Sequence, residues 1–457
     1  MPKNLFKSAR KRCRIFSCMV SSSDRFKFLP TLILLLIFMA STAPAMTLSL
    51  SEAIQAADRN SYTVQASRHD SLAASYDYKA ARSARYPSLS IEARSSFADN
   101  IPSIEFPGIG ARDLGAKENY QADIKLTVPL FTGGRIASRI RANCENVLAD
   151  AFALEAERMN TAYNCRRAYL ATLLSEAVAL SAEASLKRID IIRRNVADLH
   201  TSGLADSIDI LETELAYQQM QLTVSEKQTA AANARLNLAL ILGLPPDTNV
   251  QLTEKITPPS KDLSVISSPA PIDRPELKML DSKIRSAEHL IRLNRSEYFP
   301  EISGYAGYSY GKPNRDFFNN QWDDYWTAGL ALKWELNLGG GTSHRTNAAH
   351  QAAGSIRMSK NDLERSLTIL AETSAQNVDL AYRTVLTTQK EYDIARNKYR
   401  LAEKKQKAGL LTVNRLLEIE AELTASEQQY RASIVNFYIV QSEHLYAVGS
   451  EKIYGGL

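Results

Sequence analysis

Gly339-Gly340-Gly341-Thr342-Ser343 is the run closest to a phosphate cradle, since consecutive glycines let backbone amides converge on an anion. It lacks the lysine and the spacing of a phosphate loop and reads instead as a strand-to-helix turn. The six histidines are scattered. His344 and His350 lie six apart and fall on different faces of a helix, so they do not suit a metal site. No nucleophile elbow is present. Cys144 and Cys165 share one helical stretch, roughly 30 Å apart along its axis, and cannot pair within a chain. No cofactor, metal or enzymatic activity is expected. What recurs is charge at fixed distances from two glycines. Asp209 and Glu212 stand six and nine residues past Gly203, and Arg415 and Glu418 stand at the same distances past Gly409. By themselves these are equally readable as solvated charges on exposed turns.

The glycines belong to a plan written twice at an offset of 206 residues. Leu130-Phe131-Thr132-Gly133-Gly134 matches Leu336-Asn337-Leu338-Gly339-Gly340, Thr201-Ser202-Gly203-Leu204 matches Lys407-Ala408-Gly409-Leu410, and Leu211-Glu212 matches Leu417-Glu418. Each half predicts helix, strand, strand, long helix, tight turn and long helix. The chain divides into 46–242 and 276–448, with a linker over 243–275 that holds seven prolines, and a tail over 449–457. The first helix is expected over 51–85, closed by Pro87. Proline-free stretches at 135–199 and 342–406 predict helices of about 65 residues, nearly 100 Å at 1.5 Å per residue. The return helix after Gly203 carries Ile208, Leu211, Leu215, Gln218, Leu222, Ser225, Thr229, Ala232, Leu236 and Ala239 in three-four spacing, the seam of a coiled coil. The last helix instead has two stripes, Leu416, Leu423, Tyr430, Ile434 and Phe437 beside Leu417, Ala421, Val435 and Leu445, as expected of a helix packed on both flanks.

Strands are expected at 88–97, 120–130, 301–310 and 326–337. Ile124, Leu126 and Val128 alternate with Asp123, Lys125 and Thr127, and Leu330, Leu332 and Trp334 alternate with Ala331, Lys333 and Glu335. About ten residues with such alternation suit a tilted transmembrane β-strand, with these six apolar residues facing lipid; an amphipathic soluble sheet has the same period. The three tryptophans, Trp322, Trp326 and Trp334, cluster here with Tyr305, Tyr308, Tyr310 and Tyr325 as an aromatic girdle would. Residues 98–119 and 311–321 read as extracellular loops. Four strands cannot close a barrel, so the chain must oligomerise, and a pore favours three copies or more.

Residues 1–45 hold eight Lys/Arg, one Asp and the apolar run Leu29–Ala40. They read as a secretory leader cut after Ala45, the run being too short to span a bilayer. Met19 would open an ordinary leader of its own. Losing the leader removes seven net positive charges from the whole-chain +5 and leaves −2. The basic balance is therefore a targeting signal, and nucleic acid is not expected as a partner.

Val128-Pro129-Leu130-Phe131-Thr132-Gly133-Gly134-Arg135 resembles the strand-to-helix signature of the TolC-like outer-membrane efflux family, as do the duplicated Gly-Leu turns and Gly449 at the end of the last helix. The resemblance implies a mainly α chain with transmembrane β. As a homotrimer it would form a twelve-stranded barrel in outer-membrane lipid, continued by a twelve-helix periplasmic tunnel with an equatorial belt. It implies a passive exit channel in a tripartite export system, fed by an inner-membrane pump or secretion ATPase. A periplasmic adaptor would dock near the turns, at Gly203, Leu204, Gly409 and Leu410. It also implies that Asp209, Glu212, Arg415 and Glu418 approach the pore axis. Three copies of the acids would make a cation-favouring constriction, and Arg415 would pair with Asp209 or Glu212 across adjacent coils. Trp334-Glu335-Leu336-Asn337 departs from the proline and aromatic that the family often has at that strand end. The competing class, a periplasmic coiled-coil rod, has no use for alternating strands with a lipid-facing band.

Overall fold

The computed structural model describes residues 46–456 apart from 109, 114, 204, 247, 249, 260–272 and 317–318. The expected leader over 1–45 lies outside the described residues. In chain order, β1 (Met46–Leu48), α1 (Leu50–Asn60) and α2 (Tyr62–Ser83) precede β2 (Ser88–Phe97), β3 (Ser103–Phe106), β4 (Gly110–Asp113) and β5 (Glu118–Phe131). There follow α3 (Arg135–Thr201), α4 (Ser207–Ile241), β6 (Val250–Leu252), α5 (Pro275–Arg295), β7 (Glu301–Lys312), β8 (Asp323–Lys333), α6 (Gly341–Lys407) and α7 (Val413–Val448). Both α3 and α6 run for 67 residues. No described helix is long and apolar enough to cross a membrane.

One compact unit gathers the described residues up to His69, Phe152–Leu277 and the described residues from Asp362 onward. Its main core joins Leu50, Ala53, Ile54 and Ala57 of α1 to Ala162, Cys165 and Tyr169 of α3, Leu238 of α4 and Leu445 of α7. The spacing of the α1 residues puts them on one stripe, and Ser49 starts the helix with a capping box to Glu52. Glu254 accepts the Leu50 amide through both carboxylate oxygens, at 3.0 and 2.8 Å. β1 pairs in parallel with β6, which brings the linker onto this core. The tail enters it too: Ile453 is fully buried. Arg166, only 2% exposed, donates to Ser442 Oγ at 3.0 Å and to the carbonyls of Ile453 and Gly455 at 3.4 and 2.7 Å. Burial without full charge compensation lowers its pKa to about 10.

Two expectations for this unit need correction. The helix expected over 51–85 is two helices broken at Ser61, whose backbone leaves the helical region (ψ 124°). Asn60 Nδ2 donates to the Leu242 carbonyl at 3.2 Å, and Gly243 sits so close that a Cβ there would lie 2.8 Å from Asn60 Cβ. The end of α4 therefore packs into the break. On α4, the stripe buried within the chain is Thr213, Val224, Ala231 and Leu238. Of the expected seam only Ala239 is buried; its larger members Ile208, Leu211, Leu215, Leu222 and Leu236 are exposed. Both stripes have the heptad period, and the intrachain neighbours take the other one. On α7, Leu416, Leu423, Ile434 and Phe437 of the first expected stripe are buried, but of the second only Val435 and Leu445 are, with Leu417 half-buried and Ala421 exposed.

The second unit, Asp70–Ala151 with Lys278–Asn361, holds the sheet β2-β5-β7-β8, antiparallel throughout. β3 and β4 form a separate hairpin inside the expected loop over 98–119. At the end of β5 the register slips between Pro129 and Phe131, because proline has no N–H for the ladder. Gly133 and Gly134 then turn the chain into α3 at φ 57° and 86°. A Cβ on Gly133 would stand 2.7 Å from both Phe299 Cβ and the Ser296 carbonyl, so glycine is required by space as well as by φ. The strand expected over 326–337 is displaced to Asp323–Lys333. Its last pair is Lys333 with Glu301, and the next partner would be Pro300, which offers no donor; residues 334–337 thus leave the ladder.

The buried tail makes a direct prediction. Ile453→Ala should destabilise the folded chain by about 2–5 kcal/mol through cavity formation, whereas Lys452→Ala, at an exposed neighbour, should be nearly neutral; denaturant unfolding of the two variants measures the difference.

Candidate functional site

Residues directly opposed in an antiparallel ladder share a face, so the register sorts the sheet into two surfaces. Leu89, Ile91 and Ala93 on β2 oppose Leu126, Ile124 and Ala122 on β5. These oppose Ala306, Tyr308 and Tyr310 on β7, and Val128 opposes Gly304. Ile302, Gly304, Ala306 and Tyr308 oppose Leu332, Leu330, Ala328 and Trp326 on β8. One face is thus continuous hydrocarbon and aromatic surface across four strands, and its large members are exposed in the chain. The other carries Ser90, Glu92 and Arg94 against Lys125, Asp123 and Gln121, then Gly307, Ser309 and Gly311.

Ile124, Leu126, Val128, Leu330 and Leu332 all stand on the apolar face. Trp334 lies one residue beyond β8, exposed but outside the ladder. At one end of that face Trp322 stacks on Tyr310 (ring centroids 5.0 Å) and lies 6.1 Å from Tyr120. Tyr305 and Tyr325, grouped in sequence with the girdle, fall on the polar face. Gly329 makes room for Tyr305, since a Cβ there would be 2.8 Å from the phenol oxygen. Lys125 Nζ lies 5.5 Å from the Tyr305 ring centroid, and the Arg315 guanidinium 5.4 Å from that of Tyr325.

The helical turns form the second surface. Gly203 and Gly409 adopt φ 71° and 73° with open space around them, the left-handed conformation that ends a helix. Leu410 is 75% exposed; Leu204 lies outside the described residues. Asp209 is drawn into starting α4, accepting the Asp206 amide at 3.3 Å in a capping box. Arg415 pairs with Glu418 of its own helix, both more than half exposed. The pairing of Arg415 with Asp209 or Glu212 is not made within the chain, because a partner one turn away on the same helix needs less ordering than one across the coil. The polar link from α7 to Glu212 is Asn414, whose Nδ2 donates to Glu212 Oε1 at 2.8 Å, beside the packing of Ile210 on the cluster of Val413, Leu416 and Ile419. Sequence reasoning passed over Asn414, for an amide in a first helical turn gives no sign of a cross-helix partner.

With this geometry in place, comparison with known proteins is informative. The model of the outer membrane efflux protein family matches residues 53–244 and 267–433. The pyoverdine export outer membrane protein OpmQ of Pseudomonas aeruginosa is 23% identical over 345 residues, 73% of this chain and 69% of that protein. Among solved structures, the CmeC outer membrane channel of Campylobacter jejuni superposes with a TM-score of 0.75 at 13% identity, covering 93% of this chain and 94% of that one. The outer membrane protein VceC of Vibrio cholerae gives 0.74 at 13%, covering 88% and 96%. At such identities the structures speak for the fold.

The sorted faces predict an asymmetry. Leu126→Arg and Leu332→Arg should each cost about 2–4 kcal/mol if that face meets the middle of a bilayer, while Lys125→Leu should be milder. The yield of membrane-assembled oligomer from the three variants checks it, and equal losses would reverse the assignment of the faces.

Proposed function

The chain belongs to the outer membrane efflux protein family, and from that membership we propose that three copies close into one conduit, receiving cargo from an inner-membrane pump or secretion ATPase through a periplasmic adaptor. It is an outer-membrane efflux channel with its helical part in the periplasm. It acts as a passive exit rather than as an enzyme, and the choice of cargo rests with the inner-membrane partner.

The observation that carries the trimer is unfinished surface. β2 and β8 end the sheet order with free edges, and hydrocarbon offers their peptide groups no partner, so the sheet must continue into other copies; three supply twelve strands. The helices carry matching seams. Ile208, Leu215, Leu222 and Leu236 of α4 recur at multiples of seven and are exposed, as are Leu380, Ile394 and Leu401 of α6. Beside the first seam, toward the turn, lie Asp209, Glu212 and Glu214; beside the second lie Lys398, Arg400, Lys405 and Lys407. The α4 seam of one copy takes the α6 seam of the next, acid against base, as flanking charges choose partners in coiled coils. A groove of about 540 Å³ lined by Ile394, Lys398, Leu401, Lys405 and Leu411 receives part of that helix.

Protein extracted from outer membranes should run unheated as an oligomer that boiling reduces to the monomer, and should conduct in a planar bilayer. A soluble monomer would overturn the conduit.

Adaptor docking belongs to the turns, at Gly203, Leu204, Gly409 and Leu410. Leu410→Glu is expected to abolish export while leaving trimer abundance unchanged; export that survives would move docking elsewhere.

The gate belongs to Asp209, Glu212, Arg415 and Glu418. In the closed conduit Arg415 offsets the acids of neighbouring coils, so Arg415→Ala should raise single-channel conductance and the entry of large antibiotics. Unchanged conductance with intact trimers would exclude Arg415 from the gate.

A further inference from the structure

Eleven residues past each turn glycine the duplicated plan places a glutamate, Glu214 on α4 and Glu420 on α7. Glu420 is 1% exposed. Its Oε1 accepts from Ser185 Oγ at 2.8 Å, Arg188 Nε at 3.0 Å and Thr424 Oγ1 at 2.8 Å, and forms an ion pair with Arg188, whose Nη2 lies 2.9 Å away. Arg188 Nη2 also donates to Thr424 Oγ1 at 2.8 Å. Glu214 is more open, but it too is held by α3: Arg193 Nη1 donates to it at 3.1 Å and Nη2 to Asp190 at 2.9 Å, with the guanidinium 4.7 Å from the Tyr217 ring centroid. Two arginines five residues apart on one helix thus gather the two equivalent glutamates of the duplicated halves. The second half has no such pair, since the offset carries Arg188 and Arg193 to Ile394 and Tyr399.

On the turn side of this level the contacts change character. Ile192, Val196, Ala402, Val413, Leu416 and Ile419 form an apolar cluster, and the side-chain polar pairs around it include the exposed Arg415–Glu418 and Asn414–Glu212 and one half-buried contact of His200 Nδ1 with the Ala205 carbonyl at 2.9 Å. Apolar contact is non-directional and tolerates sliding, and exposed polar pairs hold weakly. A desolvated carboxylate with three donors on one oxygen is directional, and it resists separation because parting would leave a buried charge unpaired.

We propose that Glu420 with Arg188, and Glu214 with Arg193, form a collar holding both return helices to α3 at one level, and that opening of the conduit is confined to the residues between this collar and the two turns. The proposal rests on the conduit reading. Arg188 and Glu420 are positioning residues: they set where the helices pivot without lining the opening.

The test uses purified trimers in planar bilayers. Glu420→Gln keeps the shape but removes the charge that the collar is built on. It should leave the heat resistance of the trimer intact and raise open-state occupancy by roughly tenfold. A disulfide across the turns, from Glu212→Cys with Asn414→Cys in a chain carrying Cys144→Ala and Cys165→Ala, should return the Glu420→Gln channel to the closed level on oxidation and release it on reduction. Unchanged occupancy in Glu420→Gln, or a raised occupancy that the disulfide does not suppress, overturns the collar. Should Glu420→Gln fail to assemble, Arg188→Lys retains the charge, loses the fork that reaches Glu420 Oε1 and Thr424 Oγ1 together, and is read against the same outcomes. A wild-type trimer that never conducts would instead refute the conduit reading itself.

Discussion

Hydrocarbon cannot hydrogen-bond a peptide group, and the rest of the molecule answers to that constraint. Four antiparallel strands satisfy the backbone between them but leave β2 and β8 each with an open edge. Soluble proteins blunt such edges with charge or proline; a membrane requires that they be closed. On the conduit proposed above, one chain is only part of the closed sheet. The same requirement sharpens register, because a slip of one residue would put Glu92, Asp123 and Lys125 on the apolar face with Leu126 and Leu332 turned away from it. It also explains the glycines at the sheet's boundaries. Gly133 brings the start of α3 against Phe299, so that the chain leaves the sheet at a fixed point.

Duplication supplies the plan, and divergence supplies the differences that a working assembly needs. Both halves end their long outgoing helices at a left-handed glycine. Beyond it the halves part. The return helix of the first keeps an apolar stripe exposed, while that of the second buries most of one stripe and half of the other. One return helix thus serves the chain's outer boundary and the other its interior. The glutamates eleven residues past the glycines diverge in the same sense, one solvated and one sealed.

Much of this was legible in the residues because it depends on local periodicity. A strand announces itself by alternation over ten residues, and long helices by the absence of proline between Gly134 and Gly203 or between Gly341 and Gly409. Features set by distant partners were not legible. The break at Ser61 is made by contact with Leu242 and Gly243, and the end of β8 by a proline on the neighbouring strand. The two stripes of α4 share one period, so the residues alone did not tell which of them the chain's own neighbours bury. The four turn charges were found by spacing, but their partners depend on side-chain reach, which spacing does not encode; Asn414 rather than Arg415 meets Glu212.

The union of Leu48 and Ile453 in one core governs time as well as structure. Just over four hundred residues separate them, and such long-range closure is the slow part of folding. As the chain emerges residue by residue, α1, α3 and the linker can gather early, yet their shared core stays open and the Arg166 guanidinium lacks its carbonyl acceptors until the tail arrives. Without the tail this core therefore stays open. The order is set by the molecule itself: this interior closes only when the tail has packed onto it.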